Sequence, residues 1–285
     1  IGLWFNPSIQ NDFADWQKDA QVIIGLYKEY GICCFKIDGL QIPTKTAEQN
    51  LRRLFDAVLA QTNHEVIFNL DATAGRRGHY MNEYGNIFLE NRYTDWGNYY
   101  PYRTLRNLWM LSRYVPAEKM QIEFLNKWRN ADKYSTTDPF APARYSFDYL
   151  FAITLAAQPL AWMEASNLPE EAYATATLLK EYQPLQLQFH QGIILPIGEE
   201  PSGRSWTGFQ SIVSDTQGYL IIYREDNDIA KRTIDTWLPE GKKVTFTPLM
   251  GNGKKFVAEV GVQGKVSFEL NDKNSFTLYQ YQVKP

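Results

Sequence analysis

Short apolar runs alternate with longer stretches in which apolar residues recur every three or four positions. This is the order in which strands and helices follow one another in βα units around a parallel sheet. The runs Ile1 to Asn6, Ile32 to Asp38, Val66 to Asp71, Ile87 to Arg92, Met120 to Leu125 and Pro159 to Glu164 predict strands. Between the first two, Phe13, Trp16, Ala20, Ile23, Ile24 and Tyr27 fall on one helical face. Asp12 is placed to accept backbone N–H bonds near the start of that helix, and Gly31 to end it. Further helices are predicted over Thr46 to Gln61, Tyr102 to Tyr114, Arg144 to Ala157 and Glu170 to Gln191, the Arg144 helix being apolar enough to be buried on all sides.

After Gly192 the pattern changes to short alternating runs separated by Gly, Pro, Asn and Asp, over Gln210 to Ser214, Tyr219 to Arg224, Val244 to Pro248, Lys255 to Val260, Lys265 to Leu270 and Ser275 to Gln282. These predict an antiparallel sandwich, with hairpin turns at Gly251-Asn252-Gly253 and Asn271-Asp272. The expected fold class is therefore α/β, a (β/α)8 TIM-type barrel portion over residues 1–195 followed by an all-β antiparallel sandwich over 196–285. Six strands are two short of a closed eight-stranded barrel, so either two βα units precede Ile1 in the parent protein or the sheet is open.

Composition narrows the class of function. Of the 285 residues, 44% are hydrophobic and 21% charged, ordinary values for a globular protein and against disorder. The formal net charge of -3 carries no Lys/Arg run of the kind that binds nucleic acid, so a neutral partner fits better. Aromatic residues reach 15%; most fill the core, and some are suited to stacking on sugars. Cys33 and Cys34 are adjacent in a predicted strand and are expected to be free, buried thiols on opposite faces. Three scattered histidines, His64, His79 and His190, argue against a His-rich metal centre, whereas a carboxylate-only metal site stays open. No stretch is long and apolar enough to span a bilayer, and no membrane or nucleic-acid partner is expected.

Two strand ends each carry a carboxylate, Asp38 and Asp95. In a parallel barrel the active site forms at the C-terminal ends of the strands, and two carboxylates converging there suit glycosidic-bond chemistry. A retaining glycosidase needs one to attack the anomeric carbon and one to protonate the leaving oxygen, with their oxygens roughly 5 to 5.5 Å apart. Lys36 lies two residues before Asp38, hence on the same face of its strand, where its ammonium can hold the nucleophile and donate to sugar hydroxyls. Read by itself, Lys36-Ile37-Asp38 fits a surface ion pair better than a site, and Asp95 without Asp38 fits a helix cap better than an acid. Trp96 and the Asp38 charge would raise the pKa of an acid at Asp95, and Arg92 would oppose them.

Several segments agree, in order, with the latter part of a clan D α-glycosidase. Gly2-Leu3-Trp4-Phe5-Asn6-Pro7 resembles the Gly-Leu-Trp-Ile-Glu-Pro strand of glycoside hydrolase family 36, with Asn6 in place of Glu. Gly31-Ile32 followed by Phe35-Lys36-Ile37-Asp38 resembles its Lys-x-Asp nucleophile strand, and Tyr93-Thr94-Asp95 its acid/base segment. Gln191-Gly192, Trp206, Gln210 to Ser214 and Tyr223-Arg224 resemble the stretch leading into its C-terminal sandwich. The similarity is greatest to family 36 and more distant to family 27. It implies a retaining, α-galactosidase-like hydrolase of terminal α-linked sugars, with Asp38 as nucleophile, Asp95 as acid/base and no metal or organic cofactor. Lys36, Trp4, Asp71, Arg76, Arg92 and Trp128 are the expected substrate contacts, and Asn126, Lys127 and Glu164 weaker ones. The family's Cys-Ser-Ser-Gly-Gly-Gly-Arg-type loop is replaced by Asp71-Ala72-Thr73-Ala74-Gly75-Arg76-Arg77-Gly78, which keeps only the Gly-Arg.

Two other classes stay open: a non-catalytic carbohydrate-binding relative or incomplete fragment of such an enzyme, and a metal-dependent sugar isomerase. A periplasmic or secreted location is favoured over the cytoplasm, and the oligomeric state is open.

Overall fold

The computed structural model describes residues 2–71, 78–89, 97–161, 163, 166 and 168–284, and structural statements refer to these. The chain divides into two compact units, Ile1–Glu90 with Lys119–Gln121, and Asn91–Glu118 with Ile122–Pro285.

The first unit runs β1 (Gly2–Phe5), α1 (Trp16–Tyr30), β2 (Cys34–Ile37), α2 (Lys45–Gln61), β3 (Ile67–Asp71) and β4 (Gly85–Leu89). The four strands pair in parallel and in chain order. One face of this sheet is apolar because successive strands place Phe35, Phe68, Ile37, Leu70 and Ile87 on it, all buried. Against it pack the stripes of the helices, Ile23 and Ile24 of α1 and Leu51, Leu54, Phe55 and Val58 of α2. Phe55 meets Phe68 with ring centroids 4.9 Å apart, which fixes α2 over β3.

Local chemistry sets the helix ends. Thr44 caps α2 by accepting the Ala47 N–H at 3.0 Å. Gly31 ends α1 as expected, in the left-handed conformation (φ 68°) that a side chain would disfavour. The start of α1 differs from the expectation. Asn11, Asp12 and Phe13 all have positive φ, so the helix begins only at Trp16. Asp12 contributes its carbonyl, which accepts from the Asn50 amide at 2.9 Å, and Asp19 instead binds the Ser8 N–H at 2.8 Å.

In the second unit lie α3 (Pro101–Leu111), most of β5 (Met120–Phe124), α4 (Phe147–Ala152), β6 (Gln158–Ala161) and α5 (Glu170–His190). The order of the sheet follows the chain from β1 to β6, the arrangement of part of a β/α barrel. The apolar helix expected over Arg144 to Ala157 is buried but spans six residues, its start set by Ser146, which accepts the Tyr149 N–H.

Eight further strands form the C-terminal part: β7 (Ile193–Gly198), β8 (Trp206–Ile212), β9 (Gln217–Arg224), β10 (Lys231–Asp235), β11 (Lys243–Gly251), β12 (Phe256–Glu259), β13 (Lys265–Glu269) and β14 (Ser275–Val283). Six make one antiparallel sheet, β12-β11-β14-β9-β8-β7, and β10 pairs with β13. Ile234, Val266 and Phe268 of the small sheet share a core with Trp206, Leu220, Ile222, Val244, Phe246 and Tyr279 of the large one, the sandwich expected. Two strands lay outside the sequence reading. β7 contains Pro196, which an edge strand tolerates, and β10 has a single apolar residue, Ile234.

Candidate active site

Parallel pairing stacks residues of neighbouring strands into level rows that share a face. On the face opposite the helices, Trp4, Lys36, Asn69 and Asn86 form one such row. The row below is Gly2, Cys34 and Ile67. At the C-terminal ends of the strands, Asp71 pairs with Phe88, and Asp38 follows Ile37, which is level with Leu70. Asp38 is held there by its N–H bond to the Phe5 carbonyl at 3.1 Å. Strand register thus delivers one ammonium and two carboxylates to a single surface.

The Lys36 Nζ donates to Asp38 Oδ1 and, at 3.1 Å, to Asp71 Oδ2. The three side chains are only 13%, 23% and 9% exposed, respectively, which strengthens their mutual attraction and makes an unpaired charge among them costly. The same ammonium lies 4.8 Å from the Trp4 ring centroid and 5.1 Å from that of Phe88. Below it the Asn69 amide donates to Gln121. A carboxylate oriented by a lysine and flanked by an exposed tryptophan face can meet a sugar ring edge-on, with the lysine and Asp71 as hydroxyl partners.

The structure therefore brings together four of the expected residues, Lys36, Asp38, Asp71 and Trp4. Asp95, Arg76 and Arg92, like Glu164, lie outside the described residues. Trp128 belongs to the second unit, where its ring packs on Phe147 at 4.7 Å, and its backbone N–H donates to Asn126 Oδ1. Lys127 is buried and donates to the Tyr145 carbonyl at 2.8 Å and to Glu171 at 3.1 Å. Asn69, Asn86 and Phe88 went unnoticed in the sequence, although the two-residue step from Asn69 to Asp71 already put both on one face. Among the described residues no group of three or more His, Cys, Asp or Glu is arranged to hold a metal ion. Nor is any helix long and apolar enough to cross a membrane. Cys33 and Cys34 are free, but contrary to expectation they are not buried: Cys34 is exposed on the row with Ile67.

No protein-family model matches the chain, and no curated protein matches it in sequence. Solved structures do. The family 36 α-galactosidase AgaA of Geobacillus stearothermophilus, in complex with raffinose, superposes with a TM-score of 0.67 at 12% identity, over 96% of this chain and 38% of that one. The galactosidase domain of the α-galactosidase-sucrose kinase AgaSK gives 0.68 at 9% identity, over 96% and 37%. A putative α-galactosidase from Bacteroides fragilis gives 0.63 at 12% identity, over 98% and 61%. The chain has a glycoside hydrolase family 36-like fold. It spans less than two thirds of the length of these proteins, and at such identities the likeness is one of fold. Within that family 36-like fold, the Lys36, Asp38 and Asp71 cluster occupies the strand ends, the part of a β/α barrel where active sites form.

Proposed function

We propose that the chain is the catalytic portion of a retaining α-glycosidase of the α-galactosidase type, drawn from a barrel of eight strands of which it supplies six. The observation that carries this reading is the Lys36 ammonium shared by Asp38 and Asp71 at adjacent strand ends, beside Trp4. Asp38 attacks the anomeric carbon as Asp95 gives its proton to the departing glycosidic oxygen, leaving a β-linked glycosyl-enzyme. Asp95 then takes a proton from water, whose oxygen displaces Asp38 and releases the sugar in the α configuration. Lys36 orients Asp38 and, with Asp71, binds ring hydroxyls; Arg76 and Arg92 are further contacts in this scheme. Kinship of fold is what favours galactose among the sugars.

The test is hydrolysis of a panel of aryl α- and β-glycosides by the chain within its full-length parent. An aryl α-galactoside is expected to be cleaved, and Asp38→Ala to lower turnover about 10⁴-fold, which corresponds to roughly 5.5 kcal/mol of lost transition-state stabilisation. Added azide should restore release of the aryl group from the Asp38→Ala protein, because a small anion fits the space of the missing carboxylate and attacks in its place. No turnover of any glycoside by the well-folded parent would leave a carbohydrate-binding protein instead. Loss of turnover on chelation, restored by a divalent metal, would point to metal-dependent chemistry.

A further inference from the structure

The C-terminal sandwich has an opening of its own. Between β12 with the turn before it and the outer end of β13 lies a cavity of about 520 Å³, within the roughly 300 to 1,000 Å³ of small-molecule sites. Its rim carries Lys231, Lys254 and Lys255 against a single carboxylate, Glu269. No carboxylate among the described residues lies within ion-pair distance of any of these three lysines; the paired lysines nearby are Lys265 and Lys273.

The turn that supplies two of the lysines is built tightly. Gly253 donates its N–H to Thr277 Oγ1 at 2.7 Å, and a Cβ there would stand 2.0 Å from the Tyr279 hydroxyl. The rest of the lining is part apolar and part neutral polar, the polar part divided between amides and hydroxyls. Phe256 stacks one face on Phe246, with centroids 4.6 Å apart and planes 13° from parallel, and is itself only partly buried at the cavity wall. Asn252 and Asn271 offer amides.

From this we infer that the cavity is a secondary saccharide site that takes an acidic sugar, one bearing a ring carboxylate. The lysines would take the carboxylate as point charges, the amides and Glu269 the ring hydroxyls, and Phe256 an apolar edge of the ring. Glu269 disfavours a small dense anion, and the cavity is much larger than one needs. Choosing a saccharide as the ligand rests on the glycosidase reading above, whereas the surplus of positive charge does not.

The test titrates the intact chain by calorimetry with digalacturonic acid, with neutral lactose and with inorganic phosphate, beside the double variant Lys254→Glu, Lys255→Glu. Both lysines are exposed, so an unchanged melting temperature should verify its fold. Digalacturonate is expected to bind at one site that weakens at least about tenfold on charge reversal and weakens with added salt, with lactose unaffected by the change. Lys231→Glu should weaken it as well. Equal binding to parent and double variant, or phosphate displacing digalacturonate at equal concentration, would overturn the proposal. Glycoside turnover without this binding removes the second site alone; lysine-dependent binding without turnover removes the catalytic reading alone.

Discussion

The parallel sheet of the first unit and the C-terminal sandwich solve the problem of covering a sheet differently. In the sandwich, two sheets face each other and Phe246 meets Phe256, Phe268 and Tyr279 in one aromatic cluster, with the buried charges Arg224 and Glu225 outside that cluster at the end of β9. In the first unit only one face is covered by helices. The other carries Lys36, Asp38 and Asp71 at its top and leaves Trp4 and Ile67 63% and 53% exposed. Where a sheet is closed, its side chains serve packing; where it stays open, charges can gather at the cost of stability, and chemistry becomes possible.

The comparison is broken most severely from the sandwich side. Phe246→Ala removes a fully buried ring and should cost about 3–5 kcal/mol in urea unfolding of the chain. A loss under about 1 kcal/mol would mean that the cluster is loosely packed.

Next comes a titration. Burial pushes Glu225 up to about 7, against backbone N–H bonds from Ser202, Gly203 and Ser205 that favour its charged form. A carboxyl with a folded-state pKa above its unfolded value of 4.5 binds more protons when folded, so its contribution to stability falls as pH rises from about 4.5 to 7. The fall should amount to roughly 3 kcal/mol. Denaturant midpoints measured across that window should flatten in Glu225→Gln; an unchanged slope would assign the pH dependence elsewhere.

On the open face, Lys36→Met leaves two carboxylates without their shared cation. It should destabilise by roughly 1–3 kcal/mol, below the ~3–5 of a fully buried pair because water reaches Asp38. Asp71→Asn in the same background should recover part of that loss, and no recovery would show that the two carboxylates do not repel. Smaller still, Thr44→Ala should cost about 1 kcal/mol through loss of the α2 cap, with turnover unchanged.

What could be read from the sequence follows the same division. Each strand of the parallel sheet is a short apolar run, and all six expected ones are present within a few residues. Lys36 and Asp38 were legible as a pair because their two-residue spacing is local. The partnership of Lys36 with Asp71, 35 residues away, was not, since register between strands is a property of the sheet and leaves no mark in either segment. The same holds for Phe88. β10 escaped because Lys231 to Asp235 covers the core with Ile234 alone, and Arg144 to Ala157 looked like one long helix because apolar content does not reveal where Ser146 will cap it.

The row of Gly2, Cys34 and Ile67 makes the open face chemically self-reporting. Cys33 and Cys34 are the only thiols of the chain, and Cys34 stands on that row with its sulfur 3.9 Å from that of Cys33. Partial desolvation by its surroundings and the neighbouring thiol push its pKa up, so alkylation should be slow at neutral pH and quicken in alkali. Any strand or ligand laid over the lower part of this face must shield that sulfur, so occupancy can be followed as a labelling rate with no reporter group introduced.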